Sequence, residues 1–237
     1  IEKRGLKVSL CGVVNAKSGS CSQNCKFCAQ SKHNEAEIER YGLVNTSEMV
    51  NAALEAAENI ANRFGIVTSG LAISDEIEIK KIAGAVEEIS ASQKIKPCAS
   101  LGKVSRDTLI RFKQSGLTRY HCNIETARSF FPEICTTRDW QDAVDTIQTA
   151  KEVGLKTCSG GIIGMGESLE QRVEFLEQVR DMDVDSVPLN FLNPIKGTKV
   201  THLPPLKPLE CLKVIAVARL IMPDREIRVC GGREHTL

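Results

Sequence analysis

The chain has 237 residues, a net charge of +1 and a charged fraction of 26%. This near-neutral charge gives no electrostatic reason to expect nucleic acid or an anionic membrane surface as a partner. Aromatic residues make up only 4% of the chain, which argues against base stacking, and no apolar run is long enough to span a bilayer. We therefore expect a globular protein with neither nucleic acid nor a membrane among its partners.

Strand-like and helix-like segments alternate along the chain. Seven apolar segments are predicted to be strands: 6–14, 65–70, 95–102, 120–126, 155–164, 186–192 and 226–232. Six segments with helical periodicity lie between them: 49–64, 74–92, 105–115, 137–153, 168–182 and 208–221. The alternation predicts a parallel sheet with right-handed crossovers.

A doubly wound open sheet and a closed barrel both satisfy this pattern. We favour a TIM-type (β/α) barrel, because candidate ligands follow many different strands and can converge only if the strands surround one mouth. With no break in composition, 1–237 is expected to be a single domain. Because the chain stops directly after the seventh predicted strand, we expect a fragment that lacks the last β/α unit.

The chain contains ten cysteines. A disulfide scaffold is a poor interpretation, because such scaffolds are short secreted chains with small cores. Reduced thiols and metal ligation suit a chain of this size better. They predict a cytoplasmic, oxygen-poor setting.

Three cysteines, Cys21, Cys25 and Cys28, are separated by intervals of four and three residues. Thiolates suit iron–sulfur clusters, copper and zinc, but a structural zinc site takes four ligands. A cubane cluster held by three cysteines leaves one iron open to a reactant. The spacing, with Phe27 before the last Cys, resembles the CxxxCxΦC pattern of the radical S-adenosylmethionine (SAM) superfamily. A chance grouping and a partial zinc knuckle are the alternatives.

Further cysteines lie on four predicted strands. They are Cys98, Cys122, Cys158 and Cys230. Each alone would be interpreted as a small buried hydrophobe, but four thiols on one parallel sheet favour a second metal site. The remaining three, which lack this placement, are interpreted as structural: Cys11, Cys135 and Cys211.

Strand parity narrows the second site, because side chains alternate between the two faces of a strand. Arg228 and Cys230 share one face. Asn123 and Glu125 share a face and Cys122 takes the other, so Cys122 could ligate only where its strand bends. We therefore rank Cys98, Cys158 and Cys230 above Cys122.

Two polar features stand beside apolar strands. Segment 158–167 runs from a strand into a glycine-rich loop, which either approaches a ligand closely or only forms a turn. It lacks GxGxxG, so a dinucleotide site is a poor interpretation. Asn190 lies among apolar residues and needs partners, either backbone groups or a polar group of a substrate.

Five runs together closely resemble the biotin synthase family: 15–31, 120–126, 158–167, 187–198 and 228–234. The resemblance covers essentially the whole chain and implies a radical SAM enzyme of TIM-barrel type. It implies a sulfurtransferase that converts dethiobiotin to biotin with sulfur from an auxiliary iron–sulfur cluster. Relative to that family, the chain lacks an N-terminal helical lead-in and the final β/α unit.

The resemblance also implies cofactors and partners. Cys21, Cys25 and Cys28 would hold a 4Fe–4S cluster whose free iron binds SAM. Reductive cleavage of SAM would need an electron donor such as flavodoxin or ferredoxin, and the radical chemistry would belong to the cofactor. A homodimer is one option for the assembly, which the sequence leaves open.

Individual contacts follow from the same resemblance. Phe27 and Ile162 would contact the adenine of SAM, and Asn123 and Glu125 would contact its ribose. The contacts to dethiobiotin would come from Asn123 and Asn190, with Lys17 nearby.

The chain departs from the family at the second cluster, which is usually a 2Fe–2S centre on three Cys and one Arg. Cys98, Cys158 and Arg228 match three of those positions, but the remaining Cys position is Gly65. In addition, Cys122 and Cys230 stand where familiar members have His and Ser.

This combination resembles a variant branch, associated with anaerobes, whose auxiliary cluster is a larger cubane with an extra sulfide. We expect such a cluster on Cys98, Cys158 and Cys230, with Cys122 as a further candidate and Arg228 donating hydrogen bonds to its sulfur.

A second departure concerns SAM. The Arg that usually pairs with the SAM carboxylate aligns with Ala143. Arg138 is the candidate replacement.

Two other functions stay open. A hydrogenase-maturation or methylornithine-type radical SAM enzyme would share the first cluster, but is not expected to combine Asn190, Cys158 and the run at Arg228. A non-catalytic iron–sulfur protein would need no open iron position.

Overall fold

The structure, a computed structural model, describes residues 8–236. Its strands are β1 (Cys11–Lys17), β2 (Arg63–Thr68), β3 (Lys96–Ser100), β4 (Arg119–His121), β5 (Lys156–Cys158), β6 (Gly161–Ile163), β7 (Ser186–Phe191) and β8 (Glu226–Val229). Its helices are α1 (Thr46–Glu58), α2 (Glu76–Ser92), α3 (Arg106–Gln114), α4 (Phe131–Ile134), α5 (Gln141–Glu152), α6 (Leu169–Asp181), α7 (Pro208–Ile221) and α8 (Arg233–Thr236). None of the helices within 8–236 has the length and apolar character needed to cross a bilayer.

The strands form one parallel sheet. Its order is β1-β2-β3-β4-β5-β7, and β8 pairs with the free side of β7. β5 and β6 follow one another against the same side of β7, with Cys158 beside Ser186 and Gly161 beside Leu189. They are the two halves of one broken strand. The sheet therefore has seven strand positions, as the sequence predicts.

The sheet curls into a barrel. The edge strands β1 and β8 are six spacings apart along the sheet, which would put them about 29 Å apart if the sheet were flat. Instead, the Arg228 guanidinium of β8 comes within hydrogen-bonding range of the Cys11 side chain of β1. The predicted (β/α) barrel is confirmed in preference to an open doubly wound sheet.

Apolar side chains of the strands pack outward against the helices, and several charged and thiol side chains point into the ring. Ile66 of β2 and Tyr120 of β4 are buried in the layer between strands and helices, where Met49 of α1 and Ile82 of α2 also pack. Arg119 is next to Tyr120 and faces the opposite way, with an Nη2–Oε2 distance of 2.9 Å to Glu226 of β8. The helices thus cover the ring from outside, and polar side chains fill its interior.

Two predicted helices have different bounds. The helix predicted over 49–64 is α1, which ends at Glu58 because Ile60 takes a left-handed φ of 58° and residues from Arg63 onward join the sheet. The helix predicted over 137–153 begins only at Gln141, because Thr137 is bonded to Asn24. The first residues of the strand predicted over 6–14 lie outside the described residues. A single domain over 1–237 stays a prediction.

Candidate active site

The loop that carries Cys21, Cys25 and Cys28 lies between β1 and α1 and is held by hydrogen bonds. The buried Asn34 amide donates to the carbonyl oxygens of Cys25 (3.1 Å) and Cys28 (2.9 Å). Lys26 N donates to Ile134 O (2.9 Å), which ties the loop to the end of α4. Sequence reasoning missed Asn34, although a buried amide so close to the thiols is the kind of signal that could have found it.

All three thiols of this loop line one cavity of about 280 Å³ at the mouth of the barrel. Burial raises the pKa of the Cys25 thiol, and the Arg138 guanidinium partly offsets the rise. Burial likewise raises the pKa of Cys28. Metal ligation requires thiolates, so loading this site must release protons.

The donor set fits a cluster better than a single ion. Within residues 8–236, no group of three His, Cys, Asp or Glu side chains is arranged to hold one metal ion. In an iron–sulfur cluster each cysteine binds a different iron, so the thiols stand further apart than the ligands of one ion. Three thiols around one open cavity meet that requirement.

Cys135 lies closer to this site than the sequence suggests. Its Sγ is 3.5 Å from the Cys25 Sγ. Burial raises the pKa of Cys135, but hydrogen bonds from Thr137 and Cys25 outweigh it, so the net pKa is lowered. All ten cysteines are free thiols.

The same cavity is also lined by the chain that follows β4, through Cys122, Asn123 and Glu125. Phe27 of the cluster loop lines it as well. The strand predicted over 120–126 ends at His121, and Glu125 takes a left-handed φ of 69°. Alternation therefore stops after His121, which is why Cys122 and its neighbours line one cavity instead of opposite faces.

A carboxylate–guanidinium pair lies beside this cavity. Arg138 Nη2 is 3.6 Å from Glu125 Oε1, and both side chains are largely buried. Burial raises the pKa of Glu125, while Arg138 and the Asn123 amide partly counteract it. Arg138 and Ala143 both line the cavity, so a guanidinium is present although position 143 offers none.

His121 joins this cavity to the barrel interior. Its Nε2 is 2.7 Å from Asn123 Oδ1 and its Nδ1 is 3.0 Å from Ser100 Oγ. Burial lowers the pKa of His121 to about 4, so the ring is neutral at pH 7. A neutral ring bonded on both sides fixes the Asn123 side chain. Sequence reasoning missed this residue.

Two glycines of the glycine-rich segment are required by close backbone packing. A Cβ on Gly160 would lie 2.0 Å from Pro188 O, and one on Gly161 would lie 2.1 Å from Glu125 O. Ile162 does not line the cavity, but its N–H donates to Glu125 O at 2.8 Å. The segment therefore clamps the backbone of Glu125.

The two other residues predicted to contact substrate have protein partners. Lys17 Nζ pairs with Glu78 Oε1 at 2.6 Å. The Asn190 amide donates to Gly161 O (3.0 Å) and accepts from Gly231 N (3.0 Å), so both of its polar groups are bonded to backbone.

A second group of thiols lies deeper in the ring. Cys98 lies on β3, Cys158 is the last residue of β5, and Cys230 follows β8 directly. The charge of Arg228 acts on both Cys158 and Cys230, and Cys158 also interacts with Cys98. Burial raises the pKa of Cys158 to about 11, with Arg228 and Arg119 lowering it. Arg228 acts on Cys158 and Cys230, and Arg119 acts on Cys158 and Cys98, so the three cysteines share two neighbouring guanidinium groups.

Cys122 is not part of this second group. Burial raises the pKa of Cys122 to about 12, and the charges that act on it are Arg138, Glu125 and Asp142 of the first cavity. Its thiol therefore belongs with the first site.

Comparison with protein families agrees with this layout. Residues 17–179 match the Radical SAM superfamily, and residues 188–237 match the Biotin and Thiamin Synthesis associated domain. The chain is 21% identical to methylornithine synthase (PylB), with a TM-score of 0.82 over 95% of this chain and 66% of that one. It is 16% identical to the FeFe-hydrogenase maturase HydG from Carboxydothermus hydrogenoformans, with a TM-score of 0.77 over 93% of this chain and 53% of that one. These two likenesses show a shared fold. The class is thus a radical SAM barrel enzyme, which uses a 4Fe–4S cluster and SAM.

Sequence relatives narrow the class. The chain is 51% identical to the biotin synthase of Geobacter sulfurreducens over 98% of this chain and 71% of that protein. It is 46% identical to the biotin synthase of Acetivibrio thermocellus over 97% of this chain and 71% of that protein. The chain belongs to the biotin synthase family.

Proposed function

We propose that this protein inserts sulfur into dethiobiotin to form biotin. The observation that carries the proposal is that one barrel contains two separate sets of cysteine thiols, in a chain that is 51% identical to a biotin synthase. One set lines the open cavity, and the other lies around Arg228 and Arg119 in the interior of the barrel. Two separate centres are what a reaction needs when one makes a radical and the other gives up sulfur.

Each centre has defined protein ligands in this proposal. Cys21, Cys25 and Cys28 hold the 4Fe–4S cluster and leave one iron for SAM. Cys98, Cys158 and Cys230 hold the sulfur-donating cluster, with Arg228 donating hydrogen bonds to its sulfur. Cys122 is left out of this second set, because its charged neighbours are those of the first cavity. When bound, the first cluster and SAM would supply the radical chemistry that activates carbon–hydrogen bonds of the substrate.

Residues of the cavity bind and orient SAM. Arg138 pairs with the SAM carboxylate, the role that Ala143 cannot fill, and its 3.6 Å contact with Glu125 keeps the guanidinium at the cavity wall. Phe27 contacts the adenine, with Ile162 behind Glu125. Glu125 and Asn123 bond the ribose, and the neutral ring of His121 keeps the Asn123 amide in place.

Dethiobiotin binds between the two centres. Asn123, which follows β4, and Asn190 of β7 face it, and Lys17 lies near it at the end of β1. Because the Asn190 amide is bonded to Gly161 and Gly231, binding through Asn190 requires it to exchange a backbone partner for the substrate. The electron for SAM cleavage comes from a donor such as flavodoxin or ferredoxin, in a cytoplasmic setting that keeps these thiols reduced.

Anaerobic reconstitution with iron, sulfide, SAM, a reductant and dethiobiotin tests the function. Biotin is the expected product. Formation of 5′-deoxyadenosine without biotin would instead support another radical SAM reaction, and formation of neither would support a non-catalytic iron–sulfur protein.

A single variant separates the two centres. Cys230→Ala should abolish biotin formation but leave SAM cleavage intact, because Cys230 is close to Arg228 and does not line the first cavity. Equal loss of both activities would contradict this placement. Iron and sulfide counts per chain decide between a cubane, which we favour, and a 2Fe–2S centre.

A further inference from the structure

Cys11, which the sequence suggests is only structural, lies at the start of β1. The Arg228 guanidinium on β8 is within hydrogen-bonding range of its side chain. Cys11 also interacts electrostatically with Cys98 and with Cys230. Cys11, which is not among the proposed ligands, therefore interacts with Cys98, Cys230 and Arg228. These are three of the four side chains of the second centre, and Cys158 is the fourth.

The interior around these thiols has an excess of positive charge. Arg119, only 2% exposed, pairs through Nη2 with Glu226 at 2.9 Å. Its Nε and Nη1 are buried and have no hydrogen-bond partner among the described residues. Arg63 acts on Cys98, and Arg228 acts on Cys158. Buried N–H donors without a partner, such as the two on Arg119, are costly, so this interior is suited to an anion whose atoms accept hydrogen bonds. Thiolates and sulfides of an iron–sulfur cluster are such an anion.

The second centre has room for a fourth thiolate. A cubane has four irons, and Cys98, Cys158 and Cys230 supply thiolates for three of them. Gly65 of β2 pairs with Cys98 of β3. A Cβ added to Gly65 would meet only Val13 Cγ1 at 3.4 Å and Gly12 O at 3.9 Å. The space is open there, but glycine brings no donor. Val13 pairs with Gly65, and Cys11 is two residues before Val13 on the same face of β1.

We infer that Cys11 is the fourth thiolate ligand of the second iron–sulfur cluster. The inference rests on the proposed function in taking Cys98, Cys158 and Cys230 as the other ligands. Ligation replaces the Cys11 S–H bond by an S–Fe bond and releases the proton to water, with no change of oxidation state. Arg228, freed from the Cys11 thiol, keeps its positive charge beside the resulting thiolate.

The test isolates the second cluster. In the full chain, Cys21, Cys25 and Cys28 are changed together to Ala, so that only the second centre can load. Cys11→Ala and Cys11→Ser are then added separately. Val13→Ala is the matched control, because Val13 shares strand and face with Cys11 but has no ligand atom and is 68% exposed. Iron and sulfide per chain are measured after anaerobic reconstitution and a chelator challenge, together with Mössbauer and EPR spectra.

Loss of a ligand should lower the iron that Cys11→Ala retains by about tenfold or more. Cys11→Ser should keep part of the iron with a changed isomer shift, because oxygen is a harder ligand than thiolate. Val13→Ala should match the parent. Iron, sulfide and spectra in both Cys11 variants equal to those of the parent would overturn the inference. Circular dichroism reports folding, and if Cys11→Ala does not fold, the spectrum of Cys11→Ser decides.

A parallel Cys98→Ala variant separates this inference from the proposed function. If Cys98→Ala loses the cluster and Cys11→Ala keeps it, only the role of Cys11 is wrong. If the cluster survives both changes, or never forms in the parent, the second centre itself is wrong and the inference fails with it.

Discussion

Arg138 has its guanidinium between a carboxylate and an aromatic ring. It is 3.6 Å from Glu125, and 5.2 Å separate it from the centre of the Phe131 ring. Both contacts restrict the side chain before any ligand arrives. A restricted, largely buried cation at a cavity wall is suited to bind a carboxylate, which is the role proposed for it with SAM.

Arg138→Gln should therefore weaken SAM binding. Truncating one member of a buried charge pair costs at least about 2 kcal/mol, which corresponds to a rise in the KM for SAM of about 30-fold or more. The KM is measured from 5′-deoxyadenosine formation at varied SAM. Arg128→Gln is the control, since Arg128 is exposed and stacks over Trp140 away from the cavity. Equal KM values for the two variants would contradict the proposed role.

His121 gives the cluster-free protein a pH dependence. Its pKa is about 4 in the fold, mainly because of burial, against about 6.5 when unfolded. A lowered pKa of a base means that the unfolded state binds the proton first as the pH falls. Stability is thus complete above pH 6.5 and decreases toward pH 4.

Urea unfolding of the cluster-free protein measures this effect. Between pH 7 and pH 5, His121 should reduce the free energy of unfolding by about 2 kcal/mol. His121→Gln removes the titrating group. Its free energy of unfolding should therefore fall by about 2 kcal/mol less than that of the parent between pH 7 and pH 5. The same pH dependence in both proteins would show that His121 is not held neutral by the fold.

At the scale of elements, the break between β5 and β6 shapes the site. Gly160 and Gly161 let the chain pass between Pro188 and the backbone of Glu125 at distances that no side chain would permit. That passage holds Glu125 in its left-handed conformation and presents its carboxylate to the cavity. A broken strand is therefore part of how the site is positioned.

Gly161→Ala should destabilise the protein, because the new Cβ would lie 2.1 Å from Glu125 O and must push the backbone of Glu125 away from β6. We expect a loss of about 1–3 kcal/mol in the free energy of unfolding. Gly84→Ala is the matched control within α2, where the new Cβ would meet only Thr46 Cγ2 at 3.9 Å. A helical Gly→Ala change of this kind should stabilise by about 0.5–1 kcal/mol. Chemical denaturation of both variants shows whether the signs differ as expected.

Elements differ in how well their sequence predicts them. The bounds of α7, Pro208–Ile221, are those predicted, because Pro at the first position and a long apolar run depend on local chemistry alone. The start of α5 differs from the predicted start at 137. Asn24 of the cluster loop forms hydrogen bonds with both Thr136 and Thr137, and these bonds keep the two residues out of the helix. Contacts that cross 113 residues of sequence are invisible to a local pattern.

At the scale of the whole molecule, the ring brings its edges and its charges together. Arg119 of β4 reaches Glu226 of β8 across the interior, and Arg228 of β8 reaches Cys11 of β1. The interior is therefore a cationic chamber lined by thiols. Such a chamber is electrostatically strained until an anionic cluster fills it.

Arg119→Met tests this view through two effects. In the cluster-free protein it removes a buried guanidinium with two unpaired nitrogens. Glu226, whose side chain is 37% exposed, can be solvated by water in its place, so the free energy of unfolding should stay unchanged to within about 1 kcal/mol. In the reconstituted protein it should reduce retention of the second cluster about tenfold. Chemical denaturation and iron counts measure the two effects.

Arg106→Met is the comparison, because Arg106 and its partner Glu152 are both half exposed and their pair should contribute at most about 1 kcal/mol. Marked destabilisation of the cluster-free protein by Arg119→Met alone would mean that Arg119 serves the fold and not the cluster.

The sequence by itself determined the alternation of strands and helices, with its seven strand positions, and the three thiols of the cluster loop. Strand periodicity, turn residues and the spacing of Cys21, Cys25 and Cys28 are local properties, and local properties can be read along a chain. Only the tertiary structure decided that Cys122 belongs with the first cavity, that His121 supports Asn123, and that Cys11 meets Arg228. Each depends on where the end of one strand lies relative to a strand distant in sequence, and closure of the ring sets that distance.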